Sequence, residues 1–321
     1  MLEVNQSSSE KELISIVLPT LNECDNVRLM YDALIVELLT SDVNYEIIFV
    51  DDNSIDGTID RVKELSGVDE NVKYLLMSKR FGDQMCLMAG LDYASGDAVI
   101  VMDSDLQHPP RYLKEMFQKW REGADVVVMQ RESAGHSSWL KKFFELMFYK
   151  FLNWISDETI YFRFSGFCLL DKKVVSSIKR HEEYDPFLRG IISLVGYNHT
   201  ILPYVEDERV LGVTKYDYLN QARLALTGIT SFSNRPLYLS LYMGLVSVIS
   251  AFVFGLFILI NKLFFVQSVL EGWTSVTLLV IFFGGVQLIT VGILGIYVGK
   301  NFIETKRRPR YIVNEFGGLE R

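Results

Sequence analysis

Asp103, Asp105 and Gln107 are the residues of this chain whose types and spacing most directly suggest chemistry. They follow an apolar run, Ala98-Val99-Ile100-Val101-Met102, that reads as a buried strand, and carboxylates delivered at the end of such a strand are costly to place. Residues two apart on an extended chain point to the same side, so alternation predicts that the three oxygen-bearing side chains converge on one point. Oxygen donors suit a hard divalent cation, Mg²⁺ or Mn²⁺, and such a cation suits a diphosphate. A solvated turn before Pro109-Pro110 has the same composition, so the pentapeptide alone leaves both readings open.

Two further polar clusters follow apolar runs. Pro19-Thr20-Leu21-Asn22-Glu23 comes after Ile14 to Leu18, with Asp25 or Asn26 placed to cap a following helix. Asp51-Asp52-Asn53-Ser54-Ile55-Asp56-Gly57-Thr58 comes after Ile47 to Val50; its acidic pair can accept hydrogen bonds from a ribose or a base, while Asp56-Gly57 turns the chain. Taken singly, each cluster also suits a plain helix cap.

Positioning these clusters requires a particular architecture. Apolar runs at 13–18, 45–50, 72–77, 98–102 and 125–129 read as strands, with helical patterns near 26–40, 57–66, 83–95 and 110–121 between them. That rhythm predicts an α/β fold with a mostly parallel sheet. Ligands bind at the carboxyl ends of strands in such sheets, where all three clusters fall. No Gly-x-Gly-x-x-Gly follows the first strand, which argues against a dinucleotide-binding fold.

The chain has 321 residues, and its apolar content gathers near the C-terminus. Residues 236–261 and 272–299 carry no charged side chain, and each run exceeds the ~20 apolar residues that cross a hydrocarbon core. Two transmembrane helices are therefore expected. Lys300, Lys306, Arg307, Arg308 and Arg310 follow the second run and Arg223 and Arg235 precede the first, whereas the loop from Lys262 to Glu271 offers one Lys. This distribution places both ends and the globular part in the cytoplasm, with the protein in the cell membrane as a multi-pass chain. The polar, acidic stretch Met1 to Lys11 has no apolar core and does not read as a signal peptide.

The expected organisation is a cytoplasmic domain over 1–215, a juxtamembrane amphipathic segment over 216–235, spans at 236–261 and 272–299, and a basic tail over 300–321. Trp139 to Ile155 mixes Lys141, Lys142 and Lys150 with many aromatic and aliphatic residues, and suits either a helix lying on the membrane or a packed core helix. Cys24, Cys86 and Cys168 lack metal-site spacing and read as small buried hydrophobes in a reducing compartment. A net charge of -8 argues against general nucleic-acid binding. Gly284-Gly285, Gly292 and Gly295 in the second span would allow close helix contact in a homo-oligomer.

Together these residues resemble the metal-dependent inverting glycosyltransferases of family 2 with a GT-A fold, and within them the polyprenyl-phosphate glycosyltransferases. That group includes dolichol-phosphate mannose synthases and bacterial undecaprenyl-phosphate glucosyltransferases. The resemblance rests on Pro-Thr-Leu-Asn-Glu at 19–23, Asp-Asp-Asn-Ser-Ile-Asp-Gly-Thr at 51–58, Asp-Ser-Asp-Leu-Gln-His-Pro-Pro at 103–110, the stretch from Arg209 through Lys215 to Tyr216, and the two C-terminal spans. It implies that Pro19, Leu21, Glu23 and Asp52 line a nucleotide pocket, with Arg80 and Asp103 beside the donor. It further implies that Asp103, Asp105 and Gln107 surround the metal, and that Arg131, Arg209 and Lys215 are the cations near the donor and acceptor phosphates. Asp105, Arg131 and Arg209 are the residues expected to carry catalysis.

Two departures stand out. Where relatives often read Arg-Asn-Phe-Gly, this chain has Lys79-Arg80-Phe81-Gly82, and where many carry Asp-Phe-Arg-Leu it has Gly166-Phe167-Cys168-Leu169. The carboxylate proposed elsewhere as a base is thus absent, and the nearest one downstream is Asp171. A phosphate monoester, with a second pKa of about 6, is already largely a dianion at neutral pH and needs no base.

The expected function is transfer of a sugar from a nucleotide-diphosphate donor, UDP-linked, to a polyprenyl phosphate such as undecaprenyl phosphate. The partners are then a nucleotide sugar, a lipid phosphate and the membrane. The alternative is a glycosyltransferase acting on a hydroxyl acceptor, either a glycolipid or a polysaccharide synthase. Processive synthases usually carry Gln-x-x-Arg-Trp, and no Arg-Trp pair occurs in this chain. A non-enzymatic membrane scaffold would not need three polar clusters on one sheet edge.

Overall fold

The computed structural model describes residues 11–132, 164–184, 186–207, 234–264 and 272–319. It divides into two compact units, one built from the residues before 148, 160–217 and 308–321, the other from 148–159 and 218–307.

The first unit is an eight-stranded sheet. The strands are β1 (Leu13–Thr20), β2 (Asn44–Asp51), β3 (Val72–Met77), β4 (Ala98–Val101), β5 (Val126–Arg131), β6 (Phe164–Asp171), β7 (His199–Tyr204) and β8 (Val313–Gly317), in the spatial order β7-β5-β6-β4-β1-β2-β3-β8. β1 to β4 pair in parallel, as do β5 and β7; β6 runs antiparallel to both β4 and β5, and β8 antiparallel to β3. The strand order reverses about β1, with β2 on one side and β4 on the other, so the crevice at their carboxyl ends is a topological switch point.

Strands buried on both faces read as continuous apolar runs, and Ile14, Ile16, Val17 and Leu18 are fully buried. Side chains from β1 and β2 on one face (Ile14, Ile16, Leu18, Ile47, Phe49) form one cluster with residues of α1 (Cys24–Leu39), α2 (Thr58–Ser66) and α4 (Leu113–Arg121). In α1 the buried positions Val27, Met30, Leu34 and Leu38 recur at the helical spacing that makes one apolar stripe. Burying each such side chain contributes roughly 1.5–3 kcal/mol before entropy is counted.

The opposite face meets α3 (Asp83–Tyr93), which is buried continuously from Met85 to Leu91 and has no polar face over that stretch. A Cβ at Gly90 would lie 2.2 Å from Val17 Cγ1, so only glycine lets α3 settle onto β1. Against α3 pack α5 (Lys172–Lys179) and α6 (Leu188–Leu194). The result is a helix–sheet–helix sandwich, the α/β class the sequence predicts.

Three strands lay outside that expectation. β6 and β7 follow the parallel run, and β8 falls within the stretch read as a basic tail. Instead of ending in solvent, the chain returns to the sheet edge: Arg310 Nη1 donates to the carbonyl of His181 (2.9 Å) and Tyr311 Oη to Asp92 (2.7 Å). Glu315 pairs with Lys63 (2.8 Å) and accepts from Tyr74 Oη (2.9 Å). β8 thereby covers the open backbone groups of β3, a sheet edge that would otherwise invite foreign pairing.

In the second unit α7 (Arg235–Phe264) and α8 (Trp273–Thr305) pack on each other. Both contain stretches long and apolar enough to cross a membrane, Arg235–Phe257 and Leu279–Thr305. Among their described side chains, large ones such as Phe252, Phe257, Leu288 and Val298 are exposed, unlike those of a buried soluble helix. The amphipathic stretch 139–155 and most of the juxtamembrane segment lie outside the described residues.

Candidate functional site

Three loops at the carboxyl edge are tied together by hydrogen bonds that their own side chains supply. After β1, Asn22 N–H donates to Ser54 Oγ (2.8 Å) and Asn22 Oδ1 accepts from Ile55 N–H (3.0 Å). Glu23 N–H donates to Thr58 Oγ1 (2.9 Å), and Cys24 N–H to Asp56 (3.2 Å). The loop after β4 joins the first through Ser104 Oγ, which donates to the carbonyl of Pro19 (2.9 Å). Three non-glycine residues in these loops hold left-handed backbone: Asn22 (φ 54°), Asn53 (φ 57°) and Leu106 (φ 66°). For Leu106 this conformation is strained, and the surrounding contacts must hold it there.

The acidic pair after β2 performs internal work. Asp51 is fully buried and accepts from the N–H (2.9 Å) and Oγ (2.5 Å) of Ser54. Burial pushes its pKa up, and the charges of Asp56 and Asp52 push the same way against the Ser54 bonds. Asp52 accepts from the N–H groups of Phe81 (2.6 Å) and Gly82 (3.0 Å), so it fixes the loop that carries exposed Arg80 and leads into α3.

The alternation argument for Asp103, Asp105 and Gln107 does not describe this loop. β4 stops at Val101, and the chain then turns through Leu106, so strand geometry is not what presents these side chains. Asp105 is nearly buried and accepts from Gln107 N–H (3.1 Å), while the Asp103 side chain is half exposed. His108 holds Asp103 from beneath: its Nδ1 accepts Asp103 N–H (2.9 Å), which leaves the proton on Nε2, 3.6 Å from Asp103 Oδ2. Burial pushes the His108 pKa down to about 4, so the ring is neutral, stacked on Phe167 with centroids 5.1 Å apart.

Among the described residues no three His, Cys, Asp or Glu side chains group closely enough to hold a metal ion by themselves.

Arg131 ends β5 on the same edge and pairs with Glu206. Pro19, Leu21, Glu23, Asp52, Arg80, Asp103, Asp105, Gln107 and Arg131 are thus all on the carboxyl edge or its loops; Glu23 accepts from Asn26 Nδ2 (2.6 Å). Arg209 and Lys215 lie outside the described residues. Asp171 is at the other end: it pairs with Ala98 at the start of β4, caps α5 through Lys173 N–H (2.9 Å) and accepts from Trp120 Nε1 (2.8 Å).

Beside Asp103 the structure opens a small pocket that no motif announced. Asp83, Gln84 and Arg189 supply its polar groups, and Leu87, Val128 and Ile192 its apolar wall. Asp83 reaches solvent at the mouth, yet the protein around it and the charge of Asp103 raise its pKa to about 6. Asp83 reads in sequence as an ordinary first-turn acid of α3, and Arg189 comes from a short helix more than a hundred residues later. The pairing was therefore invisible to spacing. Buried Cys168 also borders the pocket, its thiol pushed up to about 12, and Cys86 is buried likewise; Cys24 is partly exposed.

The chain has relatives among known proteins. A family model described as Glycosyl transferase family 2 matches residues 15–178, from β1 through α5. The chain is 39% identical over 306 residues to the uncharacterized glycosyltransferase YkcC of Bacillus subtilis (strain 168), covering 95% of this chain and 94% of that one. It is 38% identical over 302 residues to the prophage bactoprenol glucosyl transferase homolog of Escherichia coli (strain K12), covering 94% and 98%. To the bactoprenol glucosyl transferase of Shigella phage SfV it is 38% identical over 300 residues, covering 94% and 97%. With the α/β sheet and the two apolar helices that the GT-A resemblance implies, the chain is a glycosyltransferase and belongs to glycosyl transferase family 2.

Proposed function

We propose that this protein transfers a sugar from a nucleotide-diphosphate donor, UDP-linked, to a polyprenyl phosphate such as undecaprenyl phosphate. The observation that carries the reading is the likeness, over 94% of the chain, to bactoprenol glucosyl transferases, in a molecule that joins a carboxylate-lined sheet edge to two membrane-length helices.

In this reading an oxygen of the lipid phosphate attacks the anomeric carbon from the face opposite the leaving group. The bond from that carbon to the donor's phosphate oxygen breaks, the electron pair departs with the nucleoside diphosphate, and the configuration inverts. The acceptor is already ionised, so no residue need take a proton. Asp103, Asp105 and Gln107 would hold Mg²⁺ or Mn²⁺, which supplies charge neutralisation for the departing diphosphate. Pro19, Leu21, Glu23, Asp52 and Arg80 position the nucleotide, while Arg131, Arg209 and Lys215 hold the acceptor phosphate beside a negatively charged donor.

The catalytic unit works at the cytoplasmic face. Two membrane-length helices, each crossing once, would keep the stretches before α7 and after α8 on the same side. The flanking Lys and Arg residues set the direction. A reporter after Arg321 is expected inside and one at Gln267 outside; an external reporter after Arg321 would overturn this orientation.

Purified protein in detergent, given radiolabelled nucleotide sugars and either polyprenyl phosphate or diacylglycerol, tests the acceptor. A lipid product that survives mild alkali but is cleaved by mild acid is expected, with activity flattening above pH 7 or so as the phosphate completes its ionisation. Product formed only on the hydroxyl lipid would return the lead to the hydroxyl-acceptor alternative.

A further inference from the structure

Besides Val128 of β5, three elements build the pocket beside Asp103. Gln84 links two of them: its Nε2 donates to Asp83 Oδ2 (3.1 Å) and its Oε1 accepts the N–H of Leu188 (3.1 Å), fixing the start of α3 to the start of α6. The third is β6, where Gly166 contributes no side chain. A Cβ there would stand 3.8 Å from Asp103 Oδ1 and 3.9 Å from Arg189 Nη2, so the absent side chain leaves open the space between these two groups. Leu87, Val128 and Ile192 give this space an apolar wall.

That combination matches a sugar ring, whose C–H surface packs on apolar side chains while its hydroxyls need acceptors and donors at the rim. Asp103 stands where the donor's diphosphate is bound in the reading above, and the next group along the donor is the sugar. We propose that this pocket takes the transferred sugar and that Asp83 is its specificity-determining residue, accepting hydrogen bonds from the ring hydroxyls of a neutral hexose and rejecting a uronic acid. The rejection follows from the balance of charge: Asp83 and Asp103 set two carboxylates against the single guanidinium of Arg189 in the pocket, and a uronate facing Asp83 adds another acceptor that brings no hydrogen to the contact. The proposal rests on the donor reading, and the experiment separates the two.

The full chain in detergent is titrated with UDP, UDP-glucose and UDP-glucuronic acid, and with GDP and GDP-mannose, as wild type, Asp83→Ala and Asp83→Asn. Asp83→Ala should weaken the nucleotide-hexose by about 10- to 100-fold, the loss expected for hydrogen bonds to a charged group, while leaving the bare nucleoside diphosphate within about 2-fold. Asp83→Asn, which keeps one acceptor oxygen, should fall between. Wild type should bind UDP-glucose more tightly than UDP-glucuronic acid, and Asp83→Ala should narrow the gap. Gly166→Leu, which fills the space, should cost nucleotide-hexose affinity more than nucleoside diphosphate affinity, since the added side chain also nears Asp103 and His108.

Equal loss of both ligands in Asp83→Ala overturns the proposal, as does tighter binding of the uronic acid by wild type. Unchanged nucleotide-hexose affinity with turnover that loses its acidic pH limb would make Asp83 a base and overturn it as well. Wild type that binds neither nucleoside diphosphate overturns the donor reading itself.

Discussion

Strand β2 carries carboxylates toward both ends of the sheet, and the two ends treat them in opposite ways. Near its start, Glu46 is 2% exposed and accepts from Ser15 Oγ, from the N–H (2.8 Å) and Oγ (3.0 Å) of Ser95, and from Lys73 Nζ (2.5 Å). Burial alone would raise its pKa, but these partners outweigh it and the pKa is lowered. At its end, Asp51 is just as buried, has Ser54 for a partner and faces the charges of Asp52 and Asp56, and its pKa is raised. Equal burial thus gives opposite shifts, decided by whether a cation is supplied. The amino edge gives Glu46 a cation of its own, whereas the carboxyl edge gathers Asp51, Asp52, Asp83, Asp103 and Asp105, and burial together with their mutual charge raises the pKa of Asp51 and of Asp83.

The sharpest way to break this comparison is to neutralise one carboxylate at each end. Asp105→Asn should lower turnover by a factor on the order of 10² or more, the scale of a lost electrostatic stabiliser, with the melting temperature nearly unchanged. EDTA should act on the wild type in the same direction, and turnover indifferent to it would remove the metal from the carboxyl edge. Glu46→Gln should do the reverse, costing about 3 kcal/mol of stability by stranding Lys73 while turnover per folded molecule stays as it was. Because the folded-state pKa of Glu46 is depressed, its contribution is full above the ordinary carboxyl pKa of about 4.3 and is lost as pH falls through the lower folded value. The stability gap between wild type and Glu46→Gln, from denaturant melts, should therefore be wide at pH 7 and close in acid. A gap that ignores pH would mean packing, not charge, holds the amino edge.

The carboxyl edge was legible in sequence because its residues directly follow apolar strands that a parallel sheet must align. Pro19, Asp52, Asp103 and Arg131 reach one edge for that reason alone. Local geometry was not legible: alternation fails after Val101, since the turn at Leu106 depends on Ser104, His108 and Asp105 finding partners in the fold. The Asp83–Arg189 pocket needs β6 to run antiparallel beside β4, bringing Gly166 to Asp103, and no short-range pattern encodes that pairing. β8 escaped notice for a different reason. Five residues containing Asn314 and Glu315 make a weak strand signal, and only the waiting edge of β3 turns them into one.

The smallest effect tests the backbone half of the comparison. Asn53 is exposed, sits at φ 57°, and lies between Asp52, which holds Phe81 and Gly82, and Ser54, which holds Asp51. Alanine at φ > 0 costs roughly 1 kcal/mol, whereas glycine adopts that conformation freely. Asn53→Ala should therefore lose about 1 kcal/mol in denaturant melts, and Asn53→Gly should stay within a few tenths. Relief of the Ala strain would rotate residue 53 toward negative φ and swing Asp52 away from the loop that carries Arg80. Nucleotide affinity should then fall with Asn53→Ala and hold with Asn53→Gly. Identical stability and identical affinity in the two variants would mean that the left-handed turn stores no strain, and that the two edges differ in charge alone.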